Sequence, residues 1–411
     1  MTSHVIDGVA PVNPMPRARV LTFGLLTAVM ASGYGVMFTV LDDFRDEYGI
    51  TESRLGLIVG IGFISSFLAQ VFLAPIADRG HARRLVVIGL GVNVLGLLCL
   101  AFGETLSVLM LGRFVSGLGL GMVFPAIRRI VILGDRDRLG QNLGLLLACD
   151  VAGFAAGPAV SALLVGPFGL SAPFLLIAAA SIGCLPVVLR VRVAETDESP
   201  RARMAFDLLA NRAYVAALCM GAAVYIMIGA FDALWAVVLD DIEASEWVAN
   251  LGITLFVLPL IVLGPIGGRL AQRVGPFRVG PVGLVAAAGF MFLYGLMPSG
   301  SWMLAIALVH SVTDGLTVSS TSVAVGMVTP DDRHAGAQGL LGGIQTLLAG
   351  VVAVLAGVLY EFLGRVVAYG TAAGIMLALV VAAVVLSGDT RRRPIEVASG
   401  GGAVPVEAEP V

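Results

Sequence analysis

The chain has 411 residues, 58% hydrophobic and 13% charged, with a mean hydropathy of +0.96 and a formal net charge of −3. A soluble domain carries about 25% charged residues; this deficit, together with repeated apolar runs of about twenty residues, points to a polytopic membrane protein and gives no bulk attraction to nucleic acid. All 25 basic residues are arginine, which excludes the lysine of a P-loop ATPase and the amine of a retinal or pyridoxal Schiff base.

At 1.5 Å per residue, about 20 residues cross about 30 Å of hydrocarbon. That ruler predicts twelve spans, over 19–41, 54–77, 85–103, 105–128, 139–164, 168–190, 213–239, 247–271, 277–297, 302–328, 334–360 and 365–387. The expected fold is an all-α polytopic membrane protein of two six-helix bundles, 19–190 and 213–388, joined by a linker at 191–212. The tails, 1–18 and 389–411, read as disordered cytoplasmic segments, and no removable signal peptide is expected. Cys99, Cys149, Cys184 and Cys219 fall inside apolar runs and read as small buried hydrophobes, neither disulfides nor metal ligands.

Arginine-rich loops stay cytoplasmic. With both termini inside, 21 arginines fall on inside segments and Arg45, Arg54 and Arg365 outside, leaving Arg113 within span 4. The expected location is the cell membrane, with cytoplasmic termini and a monomeric chain.

The halves echo each other. Val40-Leu41-Asp42-Asp43 ends span 1 and Val238-Leu239-Asp240-Asp241 ends span 7; Asp78-Arg79 follows span 2 and Gln272-Arg273 follows span 8; Asp137-Arg138 precedes span 5 and Asp332-Arg333 precedes span 11. The last two landmarks recur at offsets of 194 and 195, the mark of a duplicated bundle. Parallel repeats of this kind place a substrate site between them, near the bilayer midplane.

These landmarks resemble the major facilitator superfamily over roughly residues 19–388. The loop signature after helix 2 is present as Ala74-Pro75-Ile76-Ala77-Asp78-Arg79 and, in the second half, as Gly268 to Gly275, with Gln272 in place of the acid. The helix-4 pattern stands as Arg113, Gly117 and Gly119, and a helix-5 pattern typical of drug/proton antiporters as Gly153, Gly157-Pro158 and Ser161, with Ser in place of the final Gly. The resemblance implies that helices 1, 4, 7 and 10 line the cavity and helices 2, 5, 8 and 11 form the seam between halves. It also implies that Asp78, with Arg79, Arg83, Arg84 and Arg273, serves a cytoplasmic gate bracing helix 11. The plainer reading of Arg83 and Arg84 is positive-inside anchoring.

An ionisable side chain within a span costs about 2.5–3.5 kcal/mol on insertion scales, so each asks for a reason. Asp150 and Asp314 fall within about 2 Å of their span centres, and Arg113, Asp232 and His310 roughly 6–9 Å toward the outside. Asp150, Gly153, Gly157 and Ser161 form one helical stripe whose small residues admit another helix, so the acid faces protein or cavity. Gln345 stands at the corresponding place on span 11. Asp150 with Arg113 is therefore the expected proton-coupling pair; a permanent salt bridge between them is the alternative. Tyr34, Tyr225, Asp232, His310, Asp314 and Gln345 are candidates for the substrate cavity, with an Asp232–His310 latch or, for Tyr34, ordinary packing as the alternatives.

The expected function is secondary active transport by alternating access, with proton entry driving efflux of a small organic molecule; the alternative is a proton-coupled symporter or facilitator for metabolite uptake. A transporter-like sensor is disfavoured by the gate signature. No H-E-x-x-H or G-x-S-x-G motif indicates an enzyme, and no cofactor or metal is expected. The expected partners are a small-molecule substrate, protons and the lipid bilayer.

Overall fold

The computed structural model describes residues 15–190 and 204–391. The expected tails and most of the linker therefore lie outside the described residues. The first half comprises α1 (Arg17–Thr39), α2 (Leu41–Tyr48), α3 (Glu52–Phe72), α4 (Ala82–Phe102), α5 (Leu106–Gly134), α6 (Leu139–Phe168) and α7 (Ser171–Arg190). The second comprises α8 (Arg212–Asp241), α9 (Glu246–Val274), α10 (Pro276–Leu296), α11 (Gly300–Thr317), α12 (Ser320–Val328) and α13 (His334–Ser387). Among the described residues, eleven helical stretches are long and apolar enough to cross a membrane. The last spans 54 residues, about 81 Å if straight, far more than one bilayer. Gly364 interrupts it at φ 80°, ψ 172°, a conformation that favours glycine, so α13 supplies two crossings and the described residues twelve.

Three elements depart from the sequence expectation. The segment 41–48, predicted as the end of span 1 and a loop, forms the short helix α2, closed by Gly49. Span 4 continues to Gly134, which draws Arg128 and Arg129 from the expected loop onto the helix. Span 10 is interrupted between α11 and α12 at Val318 and Ser319, which keep right-handed helical dihedrals; Thr317 Oγ1 donates to Thr313 O at 2.9 Å and Thr321 Oγ1 to Val318 O at 3.1 Å, back-bonding of a kind that bends a helix.

Close helix approach follows the small residues. Gly117 lies against Gly62 of α3, and Gly119 against Gly89 and Asn93 of α4. Gly153 and Gly157 lie against Ala28 and Gly35 of α1, so the helix-5 stripe packs within its own half. The seam between halves runs along α3–α13 and α6–α9, where Gly140 meets Gly268 and Gly144 meets Gly264. α8 starts at Asn211, whose Oδ1 accepts from Ala213 N at 3.0 Å and Tyr214 N at 3.3 Å, an N-cap of the usual kind.

Candidate transport site and gate

The bonds between halves cluster on one face, the one carrying the arginine-rich loops. Asp78 sits in a 3-10 turn, Ala74–Arg79, below α3. Its Oδ1 accepts from Arg129 Nε at 3.0 Å and from Ala335 N at 2.8 Å; its Oδ2 accepts from Gly336 N at 2.7 Å. The two amides are the first turn of α13, where free N–H groups and the helix dipole favour an anion. Asp78 and Arg129 are 1% and 0% exposed.

The duplicate of this contact uses an amide. Gln272, at the end of α9, accepts from Gly140 N at 2.7 Å and donates to Arg136 O at 2.9 Å and Asp137 O at 3.3 Å. Arg136 pairs across the seam with Asp331. Arg333 binds Asp207 through Nη1 at 2.6 Å and Met204 O through Nη2 at 2.7 Å, and this guanidinium holds the Asp207 carboxyl below the usual carboxylate range. The closure is thus built by Asp78, Arg129, Arg136, Gln272 and Asp331, while Arg333 ties the start of α13 to the segment leading into α8. Of the other expected gate residues, Arg79 is half-buried, Arg83, Arg84 and Arg273 are exposed, and Arg83 donates to Leu189 O of its own half.

Deeper in the seam, Gln70 of α3 donates to Thr346 Oγ1 of α13 at 3.0 Å. Asp150 is half-buried. The cation whose charge acts on it is Arg128 of α5, which also approaches Gly342 of α13. Arg128 thus stands at the seam, near enough to Asp150 and to Tyr225 of α8 for its charge to act on both, and exposed Asp232 lies seven residues further along α8 from Tyr225.

Several expected pairings are not made in this structure. Arg113 is directed away from Asp150: its guanidinium carbon stacks 4.1 Å from the Tyr34 ring centroid. The reason is direction, since Arg113 lies over Gly62 of α3. Asp232 and His310 do not meet. His310 Nδ1 lies 3.0 Å from Tyr294 Oη, and its Nε2 3.2 Å from Met227 Sδ and 3.4 Å from Asp314 Oδ2. His310 and Asp314 are 0% and 2% exposed, so both belong to the core of the second half and not to a cavity. Gln345 is likewise buried, against Gly221 of α8. Tyr34 is half-buried in an aromatic cluster with Phe38, Phe63 and Phe154.

Sequence reasoning missed Arg128, Arg129 and Gln70. The adjacent arginines closing an apolar run were read only as a topology signal; their placement one residue apart on a helix, pointing one at the seam and one at Asp78, needed the true end of α5.

Two duplicated helical bundles, closed on one face by capped helix ends and holding a carboxylate and an arginine between them, define a membrane transporter. A family model described as Major Facilitator Superfamily matches residues 23–240 and again 217–408; the chain belongs to that superfamily. The quinolone resistance protein NorA of Staphylococcus aureus is 30% identical over 129 residues, 31% of this chain. The alignment spans only 33% of the length of NorA, so the chain matches about a third of these curated relatives. The MFS-type transporter dbaD of Emericella nidulans is 24% identical over 316 residues, 74% of this chain and 70% of that one. The human organic anion transporter MFSD10 (TETRAN) superposes with a TM-score of 0.74 at 16% identity, over 91% of this chain and 100% of that one. The transporter FucP, in its outward conformation, does so with a TM-score of 0.69 at 17% identity, over 90% and 98%. Identities this low speak to fold alone.

Proposed function

We propose that the protein is a proton-coupled exporter of a small organic molecule, working by alternating access in the cell membrane. The 19–190 and 213–388 bundles are the moving bodies, and the arginine-rich face is cytoplasmic. On that reading the face where the halves are bonded to each other is a closed cytoplasmic side. The observation that carries it is Asp150, a half-buried carboxylate in the seam with Arg128 as its neighbouring cation. Arg128 and Asp150 ride on the same bundle, so what changes as the bundles rock is solvation: a carboxylate covered by the second bundle gains affinity for a proton, and it loses that affinity when the bundles part and water reaches it. Such a cycle couples proton entry to export, and one charge crossing 100 mV supplies about 2.3 kcal/mol. Asp78 is the cytoplasmic gate and Arg129 its counter-ion. The export direction is supported by the helix-5 pattern through Gly157-Pro158 and by the likeness to a resistance protein over part of the chain.

The test is transport in inverted vesicles against a compound panel, with and without a pH gradient, in the wild type and Asp150→Asn. The variant should still exchange substrate down its gradient and lose accumulation driven by ΔpH. Wild-type pumping by Asp150→Asn would move the proton-carrying role to Asp232.

A further inference from the structure

One cation in the first half has no counter-charge. Arg113 is 1% exposed, and its Nε and Nη2 have no hydrogen-bond partner. A guanidinium cannot shed its proton in a protein, and a buried charge without a partner is strongly unfavourable. The surrounding helices offer no remedy: α1, α4 and α5 contain no acid, and α3 carries one only at its first residue, Glu52. Asp78 is engaged by Arg129, and Asp150 lies with Arg128. The Tyr34 ring beneath the guanidinium offsets part of the cost through its π face, but it brings a second unmet donor, because the buried Tyr34 hydroxyl is also without a partner. Unpartnered donors thus converge where a negative group is missing.

The walls of this place are aromatic. The Tyr34 ring lies 5.2 Å from Phe38, 5.7 Å from Phe63 and 6.0 Å from Phe154 between centroids. Phe38 and Phe154, themselves edge-to-face at 6.0 Å, remain exposed. The cluster borders the other half: Phe63 comes within 3.9 Å of the position a side chain on Gly350 of α13 would take. It therefore opens on the seam between the bundles.

We propose that Arg113 and Tyr34, walled by Phe38, Phe63 and Phe154, form a subsite for the carboxylate end of an aromatic organic acid. The ring of the ligand would stack among the phenylalanines, and the Tyr34 side chain would swing aside so that its hydroxyl and the guanidinium both donate to the carboxylate, the guanidinium as a charge-assisted fork. This assigns a substrate class, and it rests on the reading of the seam as the transport route.

The test uses the full-length protein in lipid nanodiscs and equilibrium binding of radiolabelled 1-naphthaleneacetate against its neutral amide at pH 7.5. The wild type should bind the acid at least tenfold more tightly than the amide. Arg113→Gln should bring the acid down to the affinity of the amide. Tyr34→Phe should weaken the acid about threefold and leave the amide unchanged. Equal affinities in the wild type, or a preference for the acid that survives in Arg113→Gln, would overturn the subsite. Where Arg113→Gln fails to yield folded protein by size-exclusion chromatography, Tyr34→Phe decides: a full preference in that variant overturns the proposal, and a reduced one supports it. Export driven by ΔpH, measured on the same preparation with the compound panel, separates the two readings. Pumping without preference for the acid removes the subsite and leaves proton-coupled export. Preference for the acid without pumping keeps the subsite and removes the coupling.

Discussion

Asp78 and Gln272 occupy duplicate positions below the second helix of each half, and each reaches across the seam to the start of a helix in the other half. Asp78 touches donors only: one guanidinium and two backbone amides. Gln272 touches one donor, Gly140 N, and two acceptors, the carbonyls of Arg136 and Asp137. A carboxylate satisfies the first set and would be repelled by two of the three partners in the second. The amide in the second copy is therefore no eroded acid; it matches a different set of partners. Bonds to a charged group are worth about 1.5–3 kcal/mol and neutral ones about 0.5–1.5, so the first latch is the stronger of the two.

The harshest way to break this comparison is to keep the two faces apart. A side chain on Gly144 would strike the backbone of α9, with Gly264 C at 2.7 Å and Pro265 Cα at 2.9 Å from its Cβ. Gly144→Leu should insert normally, abolish transport and expose the arginine-rich face to thiol reagents at a cysteine placed nearby. By contrast, Gly157→Leu strikes Gly35 of α1, with a Cβ 2.6 Å from its Cα, and should lower the yield of folded protein instead of jamming the two halves. Normal transport by Gly144→Leu would mean that the seam never closes in the cycle. Next in size is Asp78→Asn. An amide cannot accept from all three donors, and its own NH2 opposes them, so the closed state should lose about 3 kcal/mol and initial transport rates at least tenfold at matched abundance. An unchanged rate would reduce the turn to a topology signal.

Gln272→Glu sharpens the contrast further, because its sign is unexpected. Adding the seemingly missing acid should loosen the closed face, not tighten it, and raise labelling there a few-fold. Tighter closure would show that the dipole of α6 outweighs the two carbonyls. The smallest effect belongs to Asp207. Its folded pKa is depressed by Arg333, so the pair contributes above the ordinary carboxylate range and is lost only as pH falls through the lower folded value. Between pH 5 and 8 it should not titrate. As Asp207 is 48% exposed, Asp207→Asn should change rates less than about twofold, and less still at high salt.

Twelve crossings and the duplicated halves were legible because hydrophobic run length and loop landmarks are local signals. Asp150 stood out as an acid at a place where acids are costly, and Asp78 as a loop landmark repeated in the second half and marked by the family resemblance. The pairing of charges was not legible. Depth along a span says how far a residue lies from the midplane but not which way it turns around the helix axis: Arg113 was within reach of Asp150 by depth and stacks on Tyr34 instead, while His310 and Asp232 share a depth and one is buried, the other exposed. The end of α5 was hidden by Arg128 and Arg129, whose charge mimics a loop. The break in span 10 was hidden because serine and threonine are tolerated in apolar helices and reveal a bend only through the carbonyls they choose.

That break has a mechanical consequence. About two turns above it, His310 ties α11 to α10 through Tyr294 and to α8 through Met227, which fixes the upper part of the tenth crossing to the body of its half. Below it, α12 lies beside α6 of the other half as well as α8 and α9. A rod clamped at one end and scored just past the clamp flexes at the score. Bending of the tenth crossing is thus concentrated at Val318 and Ser319, and the lower segment can act as a lever without loosening the core that holds the upper one.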